Sequence, residues 1–187
     1  MPRFNLATWL TLLRIALIPV LVVCFYLPWP GMRVLAAFMF VVAAVTDWLD
    51  GWLARRLGQT TRFGAFLDPV ADKLMVASAL VLLVQYDPEP GMAIAAVIII
   101  GREITIASLR EWMAEIGQRG VVEVSWLGKL KTTLQMVAIT LLLFGIEWWH
   151  AVLWPLGLAG LYLAAVMTLW SMINYLRAAW PALMQGR

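Results

Sequence analysis

The chain has 187 residues, 63% of them hydrophobic and 13% charged, and a formal net charge of +3. A soluble domain carries roughly a quarter charged residues, and a chain of this size has too much surface to hide so large an apolar share. Composition therefore excludes an ordinary soluble globule and makes the lipid bilayer the natural solvent, in line with a mean hydropathy of +0.85.

A membrane-crossing helix needs ~20 mostly apolar residues. Six stretches are expected to form one, in chain order about Thr8 to Leu27, Val34 through Trp52, Phe66 to Tyr86, Met92 to Met113, Thr132 to Trp148 and Val152 to Leu176. The fourth runs across Arg102 and Glu103. The sequence holds no internal repeat or soluble appendage, so residues 1–187 read as a single integral-membrane domain of all-α class with six transmembrane helices. The first stretch lacks the short apolar core and small-residue cleavage site of a signal peptide and is expected to stay as an anchor.

The connections alternate in character. PWPG at 28–31 and DPEPG at 87–91 are turn signals, because proline and glycine end helices and allow tight reversals. The other connections are basic, with Arg55, Arg56, Arg62 and Lys73 in one and Arg110, Arg119, Lys129 and Lys131 in the next. Lys and Arg in short loops mark the cytoplasmic side. Both basic connections fall on the side of Arg3, Arg177 and Arg187, so both termini are expected in the cytoplasm. A basic cytoplasmic face attracts anionic lipid headgroups. Nucleic acid is not expected as a partner, since the charge is not gathered in a soluble basic domain. Cys24 stands alone in the first span and reads as apolar filler, and His150 reads as a helix-end histidine.

The stretch from Asp47 to Asp72 holds four aspartates, at 47, 50, 68 and 72. Spacings of three and four put each pair on one helix face. The short basic connection between the second and third helices allows them to be antiparallel neighbours, with all four carboxylates near one point at the cytoplasmic surface. Carboxylates within a span are costly and mark function. Hard oxygen donors suit magnesium or manganese, and too few His or Cys lie nearby for zinc. The competing expectation is that the aspartates pair with Arg55, Arg56, Arg62 and Lys73, which accounts for one or two of them but not readily for four. Gly51 and Ala54 let a bulky group approach the helix, and Arg55 offers a guanidinium fork to a phosphate or diphosphate.

Together these residues spell D-x2-D-G-x2-A-R-x8-G-x3-D-x3-D, met at Asp47, Asp50, Gly51, Ala54, Arg55, Gly64, Asp68 and Asp72. The pattern resembles the signature of the CDP-alcohol phosphotransferase family, without a gap or substitution. The resemblance implies the six-helix membrane fold of that family, usually a homodimer, with divalent metals at a cytoplasmic-side active site. It implies Asp47, Asp50, Asp68 and Asp72 as ligands of Mg2+ or Mn2+, two ions per site, with Asp72 also the general base. Gly51, Ala54, Arg55 and Thr61 would contact the CDP part, with Thr8 and Thr11 from the first helix; capping or packing is the plainer account of those two threonines.

The stretches FNLATWLTLLRIALIP, GREITIASLREWMAEIG, VSWLGKLKTTLQMVAIT and LTLWSMINYL are similar to the bacterial members whose donor is CDP-diacylglycerol and whose acceptor is sn-glycerol 3-phosphate. This implies an enzyme of the bacterial inner membrane in anionic phospholipid synthesis. The acceptor's own phosphate needs cations, for which Arg110, Lys129 and Lys131 are the available cluster. Arg102 is a weaker candidate that also suits a pair with Glu103. Two other readings are open. One is a different acceptor within the family, namely inositol phosphate, serine or phosphatidylglycerol. The other is a cation transporter, which the clustering of acidic residues at one face disfavours.

Overall fold

The computed structural model describes residues 6–57, 62–117, 126–147 and 149–185, and the side chains of all of these except 6, 7, 48, 50–57, 62, 65, 126–129 and 181–185. Among the described residues there are six α-helices and no strand: α1 Leu6–Tyr26, α2 Met32–Leu57, α3 Arg62–Tyr86, α4 Pro90–Glu115, α5 Trp126–Gly145 and α6 His150–Gln185. Each expected span lies on one helix, and most helices run past the apolar stretch into the polar connections. Three contain stretches long and apolar enough to cross a membrane by length and composition, at Thr8–Tyr26, Pro90–Glu115 and His150–Trp180. Helix α5 holds a shorter apolar stretch, Leu130–Gly145, while α2 and α3 give one end each to the charged Asp47–Asp72 segment.

The helix ends follow from local chemistry. Helix α1 stops at the Pro28–Gly31 turn, where Gly31 takes φ +82°, a region that costs an L side chain and suits glycine. Helix α4 opens with Pro90 in its first turn, after an extended Glu89; proline fits there because its missing N–H would be unbonded anyway. It closes at Gly117, φ +76°, whose N–H donates to the Ala114 carbonyl at 3.2 Å, as glycine C-caps do. Helix α5 ends at Gly145, short of the expected Trp148. The chain turns back tightly there, with the Trp154 backbone N about 3.0 Å from where a Cβ on Gly145 would sit. His150 opens α6, and its Nδ1 lies 2.7 Å from the Gly145 carbonyl oxygen.

Three connections meet at one end of the bundle. The Tyr26 hydroxyl donates to Gln85, the Gly31 N–H donates to Glu147 Oε2 at 3.2 Å, and the Arg33 guanidinium lies 5.8 Å from the Phe25 ring and 5.5 Å from the Tyr86 ring. The carboxylate segment therefore sits at the opposite end. Between the two ends runs the main core, built from Leu21, Phe40, Met75, Leu83, Ile99, Ile139, Leu142 and Leu161 with many alanines. Cys24 is buried in this core as a free thiol. Small residues bring the helix backbones close, as membrane bundles require. A Cβ on Gly160 would lie 3.1 Å from that of Ala138. The outer faces are apolar too: Val23, Val45, Val97, Val137 and Val166 are all more than half-exposed or at that mark, the pattern of a surface solvated by lipid.

One feature of the packing departs from expectation. Helices α2 and α3 touch each other sparingly, whereas α1 packs extensively on both. They do meet directly, but each packs mainly on α1.

Candidate active site

Helix α1 enters the site because its buried face carries polar groups. Thr8, Thr11 and Arg14 are spaced three apart, one helical turn, and are 1%, 0% and 1% exposed. Arg14 Nη1 donates to Asp47 Oδ1 of α2 at 2.9 Å and to Asp72 Oδ1 of α3. One turn earlier, the Thr11 hydroxyl donates to Asp68 Oδ1. Three of the four aspartates are thus gathered along α1 by its own donors. Asp50 lies on α2 outside the described side chains, as do Gly51, Ala54 and Arg55, and Thr61 lies outside the described residues altogether. Among the described residues no three carboxylate, imidazole or thiol groups close on one point. The described convergence is a pair, Asp47 with Asp72, and the cation on it is Arg14, a partner the sequence reading did not weigh.

The carboxylates open into a cavity of about 600 Å³. Asp47 and Asp72 are 45% and 43% exposed, while Arg14 is fully buried behind them. Pro69 and Lys73 of α3 line the same space, and so do Arg102, Glu103 and Arg110 of α4, Thr132 and Gln135 of α5 and Tyr175 of α6. Tyr175 also belongs to a second apolar cluster, with Ile106, Leu109 and Met113 of α4 and Ala179 of α6.

Helix α4 contributes basic groups, Arg102 and Arg110, to the same lining. Arg102 pairs with Glu103, the pairing expected of it, yet it also lines the cavity, and its Nε is buried with no hydrogen-bond partner. Lys131 is near these groups but not among the residues lining the cavity; it is 2% exposed, and its Nζ also has no hydrogen-bond partner. It lies within the electrostatic reach of Arg102, Glu103 and Arg110. A buried cation without a hydrogen-bond acceptor is costly, so an anion beside these groups would supply what the protein does not. Lys129 lies on α5 outside the described side chains.

The donor set suits a hard divalent cation: carboxylate oxygens, half-exposed to the cavity, with no cysteine or histidine among the described residues that line it. Arg14 and the cavity residues Thr132, Gln135 and Tyr175 were missed from sequence. For Arg14 a signal was present, since an ionisable residue inside an apolar span marks function by default.

A bundle whose first helix gathers aspartates of the next two beside basic residues offers groups that suit a metal ion and an anion. The chain belongs to the CDP-alcohol phosphatidyltransferase family, whose model matches residues 4–175. Family members are generally dependent on divalent metal. The chain is 57% identical over 177 residues to a CDP-diacylglycerol–glycerol-3-phosphate 3-phosphatidyltransferase of Pectobacterium atrosepticum, covering 95% of this chain and 96% of that one. It is 54% identical to proteins of the same name from Sodalis glossinidius, at 95% and 96% coverage, and from Yersinia enterocolitica, at 98% and 99%.

Proposed function

We infer that this protein transfers the phosphatidyl group of CDP-diacylglycerol to sn-glycerol 3-phosphate, releasing CMP. The observation that carries the reading is a single cavity lined both by Asp47 and Asp72 and by Arg102 and Arg110. Such a space takes a diphosphate and a second phosphate at once. The names and coverage of the relatives supply the two substrates.

In this reading the acceptor hydroxyl oxygen attacks the phosphorus that bears diacylglycerol. The bond from that phosphorus to the CMP oxygen breaks, and phosphatidylglycerophosphate forms. Asp72 takes the hydroxyl proton on a carboxylate oxygen. Magnesium or manganese, two ions held by Asp47, Asp50, Asp68 and Asp72, would supply positive charge to the diphosphate and the leaving CMP. Arg55, with Gly51, Ala54 and Thr61, binds the CDP part; Thr11 serves it indirectly by fixing Asp68, and Thr8 continues the same buried face. Arg110, Lys129 and Lys131 hold the acceptor phosphate, with Arg102 beside them. Substrate alignment of this kind converts an encounter between two reactants into a reaction within one complex. All six helices cross the bacterial inner membrane, the site and both termini face the cytoplasm, and the working unit is a homodimer.

The test is CMP release by purified protein in detergent, with CDP-diacylglycerol, magnesium and a panel of acceptors. Release that depends on glycerol 3-phosphate supports the reading. Release with inositol phosphate, serine or phosphatidylglycerol instead would overturn the acceptor, and a folded, metal-loaded sample inert with all of them would overturn the transferase reading. Within the same assay, Lys131→Met is expected to raise KM for glycerol 3-phosphate roughly 10- to 100-fold, the worth of one charge-assisted hydrogen bond. KM for CDP-diacylglycerol should stay close to native. Equal increases for both substrates would move Lys131 out of the acceptor subsite.

A further inference from the structure

We propose that Arg14 competes directly with the divalent cation for the oxygens of Asp47 and Asp72, and so weakens the hold of the site on its metal. The inference rests on the reading of those aspartates as metal ligands. One nitrogen, Arg14 Nη1, donates to an oxygen of each carboxylate. The guanidinium comes from the protein interior, at 1% exposure, while the carboxylates face the cavity.

An arginine cannot step aside by losing its proton. A cation arriving at the pair must take oxygens from the guanidinium or share them with a like charge a few ångströms away, and such charges repel strongly even at the effective dielectric of a protein edge. Among the described residues the ion pairs at this cavity divide in two. Arg102 is paired with Glu103, and the ion pairs of Asp47 and Asp72 are with Arg14. Arg14 itself lines the cavity, so a guanidinium displaced from the carboxylates has space to occupy. Arg14 is a positioning residue here. It holds the pair together and surrenders oxygens when the metal enters.

The experiment is a Mn2+ titration of the full chain in detergent, with free Mn2+ read by its paramagnetic resonance. Arg14→Gln is expected to lower the Mn2+ dissociation constant about tenfold or more, given the strength of a contact charge. Arg14→Lys keeps the charge but reaches less far and loses the planar fork, so its constant should fall between the two. It carries the test if the glutamine variant does not fold. Arg102→Gln removes a charge from the same cavity away from the carboxylates and should change the constant little. Native protein that binds Mn2+ while both Arg14 variants bind no tighter overturns the competition alone. An equal gain from Arg102→Gln also overturns it, since a diffuse field would then explain the effect. Folded native protein that binds no Mn2+ overturns the metal reading and this inference with it.

Discussion

Asp72→Asn is expected to cut the rate of CMP release by about 10²- to 10⁴-fold, the range for losing a positioned general base. The substitution is nearly isosteric. The asparagine carbonyl can still accept the hydrogen bond that Arg14 now donates to Asp72, so the helices it joins should keep their places and the melting temperature should stay near native. What the amide cannot do is take the acceptor's proton. Asp47 offers the matched control, because it makes the same contact with Arg14 and has no assigned role in proton transfer. Both variants should bind metal more weakly. Raising magnesium should therefore recover part of the activity of Asp47→Asn and almost none of that of Asp72→Asn. Equal recovery in the two would mean that Asp72 acts as a ligand only.

The second large effect is on stability. A Cβ added to Gly157 of α6 would lie 2.7 and 2.9 Å from the Leu142 side chain and 3.0 Å from the Leu142 backbone N on α5. A side chain can rotate away, but a helix backbone cannot yield without moving its neighbours. Gly157→Leu is expected to force α5 and α6 apart. Overpacking of this kind costs ~1–3 kcal/mol, occasionally more, which for a chain of this length corresponds to a fall of roughly 5 °C in melting temperature. Thermal unfolding in detergent, followed by loss of monodisperse protein, reads the effect. Gly101→Leu is the comparison, since a Cβ there meets nothing within 4 Å and a leucine favours helix over glycine. If both variants melt alike, close α5–α6 approach is not what sets the stability of the bundle.

The sequence made the aspartates conspicuous because a carboxylate in an apolar span has no other ready explanation, and hydropathy located all six helices to within a turn or two at most ends. It did not disclose the part played by α1. Periodicity reports which face of a helix is buried, not what buries it, and the partners of Arg14 stand 33 and 58 residues away. The short connection between α2 and α3 suggested extensive pairing, yet a linker limits only how far apart two ends can be and does not decide which neighbour each helix packs on most. For the basic groups, Arg110 and Lys131 were suggested by their charges. The burial of Lys131 came only with the packing of α5, because the apolar run on α5 begins at its neighbours and gives no hint of which way the stem points.

The long reach of Arg14 bears on how the protein is made. The helix that composition marks as a plain anchor is synthesised before α2 and α3, and it enters the bilayer with a cation whose counter-ions have not yet been made. Asp47 follows 33 residues later and Asp72 58 residues later. Until then the guanidinium must stay near the headgroups, within snorkelling distance of water. Helix α1 can settle into its final depth and rotation only when α3 has arrived, so a segment made earlier is fixed in place by segments made later.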